Sequence, residues 1–182
     1  MMVWPMKPLS RQDFEKFASC MKIKLEDHNS YRIGVISDTH GRIPSGVLQA
    51  FKNVDLIIHA GDIGNQAVLD RLSKIAPVAA VRGNMDFGKW ADRLPETEVV
   101  EIGQTALYVL HIANRLDIKP ERLGYKAVIS GHTHRPDVYE ENGVTFINPG
   151  SASYPKPGQP GSVALIQIKK DHLDLKRIDL KN

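Results

Sequence analysis

Five short apolar runs in this chain each lead into a residue able to ligate a metal, and that repetition constrains the fold more than any other feature. Tyr31 to Ser37 runs into Asp38-Thr39-His40, Asp55 to Ala60 into Gly61-Asp62, and Val78 to Val81 into Gly83-Asn84-Met85-Asp86. Thr105 to Leu110 leads to a lone His111, and Ala127 to Ser130 to Gly131-His132-Thr133-His134. Runs this short, rich in β-branched residues, read as buried strands. Pro44 to Asn53 and Asn65 to Ile75 separate the first three runs and carry helical patterns, the second with Val68, Leu69, Leu72 and Ile75 on one face. Strands alternating with helices predict βαβ units and a buried, mostly parallel sheet. The second half predicts hairpins: Thr97 to Ile102 with Thr105 to His111, Val138 to Glu141 with Val144 to Asn148 around Asn142-Gly143, and Val163 to Ile168 with Leu173 to Ile178 around Lys170-Asp171. Arg115 to Gly124 has room for a short helix, and Tyr154 to Gly161 is a Pro/Gly loop.

Oxygen and imidazole donors delivered from several strand ends suit borderline divalent cations. Two such cations about 3.5–4 Å apart are a standard device for in-line attack of water on phosphorus. Taken singly, each motif is weak, because Asp and Asn are common after strands as turn formers. Taken together, strand ends that present Asp38, His40, Asp62, Asn84, His111, His132 and His134, and almost nothing else ionisable, are hard to obtain from random turns. Asp38 and His40 stand at i and i+2, so an extended backbone would let both face one ion, and His132 and His134 repeat that spacing. His59 lies inside a strand pattern and reads as a hydrogen-bonded core histidine. Asp86 reads as a loop anchor, and His28 and His172 as solvated.

A length of 182 residues suits one substantial core, and 42% hydrophobic with 25% charged residues is ordinary for a globular protein. A net charge of +3 implies no nucleic-acid surface, and no apolar run reaches the ~20 residues that span a bilayer. Cys20 is the only cysteine, so no intrachain disulfide forms. A cytoplasmic protein is expected, with no membrane partner and with a homo-oligomer left open. Residues 1–30 form an N-terminal extension to a domain of residues 31–182. In that extension Ser10 and Asp13 suggest a capping box, and Phe14, Phe17 and Met21 recur at helical spacing, which predicts a short amphipathic helix.

The order Asp-x-His, Gly-Asp, Gly-Asn-x-Asp, lone His, Gly-His-x-His resembles the signature of the calcineurin-like metallophosphoesterases. The flanks resemble a narrower branch, the small single-domain bacterial and archaeal phosphodiesterases. Those flanks are Ile36-Ser37-Asp38-Thr39-His40-Gly41, Ile58-His59-Ala60-Gly61-Asp62, Ile129-Ser130-Gly131-His132-Thr133-His134 and Phe146-Ile147-Asn148-Pro149-Gly150-Ser151. The similarity runs from about Tyr31 to Ile178. It implies an α/β fold, a four-layer αββα sandwich of two mixed β-sheets flanked by helices. It also implies two divalent metal ions, manganese first, with nickel, zinc, iron or cobalt as alternatives. Carried over by position, Asp38, His40, Asp62 and His134 would hold one ion, and Asp62, Asn84, His111 and His132 the other, with Asp62 bridging. A hydroxide between the ions would attack a phosphodiester substrate, while Asn84 and Arg42 orient the phosphate.

Two departures from the family pattern bear on activity. Relatives often have Gly-His after the lone His, where this chain has Ile112-Ala113-Asn114. The missing Gly matters if the loop needs a positive φ, which β-branched Ile tolerates poorly, and the missing His removes a substrate contact. The wider superfamily often places a leaving-group acid after the loop Asn, and here Met85 stands in its place. Without that acid the expected substrates are phosphodiesters or activated aryl esters rather than alkyl monoesters. The retromer subunit of the same branch supplies the competing expectation, a protein-interaction scaffold with weak or vestigial activity. Completeness of the seven ligands favours the enzyme.

Overall fold

Period-two alternation divides the apolar residues of each central strand between two cores. In the computed structural model, which describes residues 19–22, 30–170 and 172–181, strand β2 (Tyr31–Ile36) sends Ile33 and Val35 to one face and Ile36 to the other. Its neighbour β3 (Leu56–His59) does the same with Leu56 and Ile58 against Ile57. Both strands are buried on both faces, as expected of parallel strands inside a sheet.

The chain begins its described part with β1 (Ser19–Lys22). After β2 come helix α1 (Ser45–Ala50), β3, α2 (Gln66–Leu72) and β4 (Val78–Ala80). There follow β5 (Thr97–Ile102), β6 (Thr105–Leu110), a short α3 (Pro120–Leu123), β7 (Ala127–Ile129), β8 (Pro136–Glu141), β9 (Val144–Pro149), β10 (Ser162–Lys169) and β11 (His172–Asp179). One sheet has the order β11-β10-β2-β3-β4 and the other β1-β5-β6-β7-β9-β8. Both are mixed: β2, β3 and β4 run parallel, as do β6, β7 and β9, while the hairpin partners run antiparallel.

The inner faces of the two sheets meet in one core that joins Ile33, Val35 and Ile58 to Val100, Leu107 and Ile129. The outer face of the first sheet is covered by α1 and α2 through Val47, Phe51, Val68 and Leu72. The outer face of the second is covered more thinly, by Leu116, Ile118 and Leu123 over Tyr108 and Val128. This is the predicted four-layer sandwich. Each fully buried large aliphatic side chain contributes about 1.5–3 kcal/mol. Gly34 is required for the α1 layer, because a Cβ there would lie 2.8 Å from the Phe51 ring.

Local signals explain the connections. Asn65 caps α2, its side chain accepting from the Val68 N–H. Asn142 and Gly143 both have positive φ, 51° and 78°, as a type I′ hairpin demands. Gly124 ends α3 in the left-handed region at φ 74°. The N-terminal helix is another matter. Ser10, Asp13, Phe14 and Phe17 lie outside the described residues, but Met21 lies in β1, paired in parallel with Val100 of β5. Without β1, the outer side of β5 would carry unpaired backbone donors and acceptors, and a strand satisfies them where a helix does not. Among the described residues no helix is long and apolar enough to cross a membrane.

Candidate metal centre

The β2–β3 ladder does not stop where the strands do. Ala60 N donates to Ile36 O (2.9 Å), Asp38 N to Gly61 O (3.0 Å), His40 N to Asp62 O (3.0 Å) and Gly41 N to Ile63 O (2.7 Å). The chain keeps its hydrogen bonds while it curls. Asp38, His40, Asp62, His132 and His134 all have positive φ, between 43° and 69°. The expectation that extended backbone would aim Asp38 and His40 at one ion is therefore corrected. The ligand side chains are turned inward by left-handed residues flanking Thr39 and Thr133. For a non-glycine residue that conformation costs about 1–2 kcal/mol, so the backbone around the site is strained.

All seven candidate ligands come together at this end of the sandwich. The ligand atoms of Asp38, His40, Asp62 and His134 lie within 4.8 Å of one another. His40 Nε2 is 3.3 Å from His134 Nε2 and 3.9 Å from Asp62 Oδ2, and His134 Nε2 is 3.2 Å from Asp38 Oδ1. A second group adjoins the first. His111 Nε2 is 3.1 Å from Asn84 Oδ1 and 3.4 Å from Asp62 Oδ1, and the His132 ring stands edge-on to His111 with centroids 5.3 Å apart. Asp62 thus turns Oδ2 toward one group and Oδ1 toward the other.

The chemistry of these donors fits cations. His111 Nδ1 donates to Ala60 O at 2.7 Å, and His134 Nδ1 to Tyr154 O at 2.6 Å. With Nδ1 donating in this way, the Nε2 of each ring faces carboxylate and amide oxygens and, once deprotonated, offers a lone pair. Asp38 Oδ1 is a buried oxygen with no hydrogen-bond donor. Burial raises the Asp38 carboxyl pKa above its ordinary value, against the pull of Ser37, His111 and His134. Burial also opposes charge on Asp62 and His111, but their mutual contact outweighs it, holding Asp62 below the carboxylate range and His111 above the histidine range. Lone pairs crowded this closely call for positive charge among them, which a divalent ion supplies.

The surrounding shell is fixed by contacts the ligands do not make. His59 is fully buried with both nitrogens satisfied: Nδ1 accepts from Gly61 N (3.2 Å), and Nε2 donates to Thr39 Oγ1 (2.9 Å), which in turn donates to Ile63 O. Its burial lowers its pKa to about 3, so it is the neutral structural histidine expected. Asp86 accepts from Gly64 N (2.8 Å) and Gly83 N (2.9 Å), tying the Asp62 and Asn84 loops together. Gly83 and Gly131 permit close approach: a Cβ would collide with Asp62 N from the first and with Ser37 Oγ from the second.

Some positions differ from expectation or went unrecognised. Arg42 is exposed and lines a separate depression with Ile43 and Ser153, and among the described residues no hydrogen bond or ion pair ties its guanidinium to the cluster. Ile112 has φ −107° and ψ 104°, so the loop asks for no glycine there. Tyr154 opens the Pro/Gly loop in the sequence, yet its carbonyl orients His134 and its ring stands edge-on to His40. Asn148 donates to Gly131 O (2.7 Å) and Thr133 Oγ1 (3.1 Å), pinning the loop that carries His132 and His134. The sequence signal for Asn148 is the Asn148-Pro149-Gly150-Ser151 stretch, which lacks ionisable groups, whereas the Tyr154 carbonyl leaves no signal in the sequence.

Known proteins share this architecture. A probable metallophosphoesterase of Methanocaldococcus jannaschii is 39% identical over 137 residues, covering 68% of this chain and 69% of that protein. The structure of a novel archaeal phosphodiesterase superposes with a TM-score of 0.68 at 25% identity, covering 81% of this chain and 99% of the other. Zinc-complexed Vps29 from Entamoeba histolytica superposes with a TM-score of 0.64 at 24% identity, covering 81% and 98%, a likeness of fold. The family model for the calcineurin-like phosphoesterase superfamily domain matches residues 31–171, and the chain belongs to that superfamily.

Proposed function

We propose that this chain is a metal-dependent phosphodiesterase with a dinuclear centre. The observation that carries the reading is the Asp62 carboxylate, whose Oδ2 and Oδ1 face two separate sets of nitrogen and oxygen donors. Asp38, His40, Asp62 and His134 would hold one ion, and Asp62, Asn84, His111 and His132 the second. Divalent cations there supply positive charge to phosphoryl oxygens and acidify an attacking water. The Ala60 and Tyr154 carbonyls fix the rings of His111 and His134 so that each Nε2 lone pair faces inward. The exposed Asn84 amide has an NH2 group to donate to a phosphate oxygen. Arg42 has no part in this assignment.

The leaving group receives no proton from the loop. Met85 has none to give, and both Asp86 oxygens accept backbone N–H bonds. A positioned acid contributes about 10²–10⁴-fold, so its absence favours esters whose alcohol departs easily. The test is metal-stripped protein, with manganese, nickel, zinc, iron or cobalt added back, on matched aryl and alkyl diesters and monoesters. Manganese-dependent cleavage of aryl diesters with little turnover of alkyl monoesters is expected. Equal rates on aryl and alkyl esters, with chemistry limiting, would reveal a general acid. No turnover with metals bound would favour an interaction scaffold, the reading that the Vps29 likeness keeps in view.

A further inference from the structure

A cleft of about 460 Å³ opens beside Asn84 and His111, and the residues lining it are not all explained by metal chemistry. That volume suits a small organic group. Three segments supply the lining: one ends at Phe87, a second is Glu96 and Thr97, and the third runs from Leu110 through Ile112 to Arg115 and Asp117. Phe87 is 70% exposed, although it is large and aromatic. Ile112 adds an apolar side chain to the lining beside His111. The cleft's charge is close to balanced. Arg82 is paired with Glu96 at 2.8 Å and Asp92 at 3.8 Å. The Arg115 guanidinium has no ion pair among the described residues, but Asp117 lines the same space. A second phosphate would meet little surplus positive charge here, and a flat apolar group would meet a ready platform.

We propose that this cleft is the subsite for one ester arm of the phosphodiester, and that the arm carries an uncharged aromatic ring packed against Phe87. Arg115 offers hydrogen-bond donors to polar atoms on the edge of such a ring. The proposal rests on the phosphodiesterase reading and deepens it by naming the substrate class. It concerns recognition of the ring, which is separate from how readily the leaving group departs.

The test uses phosphonates, whose carbon–phosphorus bond resists hydrolysis, titrated calorimetrically into the manganese-loaded full chain. Phenylphosphonate and cyclohexylphosphonate match in charge and nearly in size, and methylphosphonate reports the phosphoryl site alone. Phenylphosphonate should bind about 2- to 10-fold more tightly than cyclohexylphosphonate. Phe87→Ala should abolish that ratio without changing methylphosphonate affinity, and Phe87→Tyr should restore it. A wild-type ratio of one, or an unchanged ratio in Phe87→Ala, overturns the subsite and leaves the phosphodiesterase reading standing. Failure of every phosphonate to bind, methylphosphonate included, overturns both.

Discussion

Replacing Gly83 by Ala should open the site by moving Asp62. The Gly83 φ is not in the left-handed region, so its backbone accepts alanine and the effect is steric. A Cβ there would overlap Asp62 N and Asp62 Oδ1 and sit 2.8 Å from Asp62 Cα, whereas ordinary contact begins at 3.4 Å. Two of these atoms are backbone, and the third, Oδ1, is held by the Met85 N–H at 2.8 Å. The loops must part by roughly 1 Å, and a displacement of that size costs about 10²-fold in rate. Asp86 resists the parting, because its carboxylate holds Gly83 N and Gly64 N together. Overpacking of this kind costs about 1–3 kcal/mol, which in a chain of this length lowers the melting temperature by about 3–10 °C. The assay is thermal melting with manganese titration and kcat/KM on an aryl diester. Gly46→Ala is the control, since its Cβ meets Leu180 Cδ2 at an ordinary 3.4 Å within α1. A Gly83→Ala protein with wild-type melting, metal affinity and rate would refute the argument, for it would mean that these loops yield freely.

Two further perturbations separate ligand from scaffold. Asp62→Ala should lower metal affinity by more than about 100-fold and abolish turnover, whereas His59→Gln should keep the metal stoichiometry and lose about 1–3 kcal/mol of stability. Comparable metal loss from both, measured by elemental analysis after dialysis, would show that Asp62 is not the bridge. His59 also makes a pH signature. Its pKa falls from 6.5 to about 3 on folding, because burial disfavours the charged ring and His111 adds repulsion. The unfolded chain therefore binds a proton that the fold refuses. The stability this group contributes is complete above pH 6.5 and is lost as pH falls toward 3, by up to about 1.4 kcal/mol per pH unit. Urea titrations across that range should show a shallower slope in His59→Gln, and identical slopes would exclude His59 as the source.

Much of this was legible in the sequence because local rules govern it. The short β-branched runs became β2, β3, β4 and β7, and the Asn142-Gly143 pair closed the hairpin it predicts. The ligand residue types stood out because little else at those strand ends ionises. What remained hidden depends on contacts between distant segments. The left-handed turns at Asp38 and His132 are held by Gly61 O and by the Asp38 carboxylate, partners remote in sequence. The Tyr154 contribution is a backbone carbonyl, which any residue carries. The β1–β5 pairing joins a helix-patterned segment to a strand nearly eighty residues away, and periodicity says nothing about such a partner.

The left-handed ligands also bear on how a lineage could lose this chemistry. At Asp38, His40, Asp62, His132 and His134, substitution by Gly would relieve the backbone and delete a ligand in one step. Drift toward greater stability therefore runs downhill away from the centre, and the reverse path is uphill at every position. A scaffold inherited from such an ancestor would shed its ligands early. This chain keeps a residue able to ligate at each of these five strained positions.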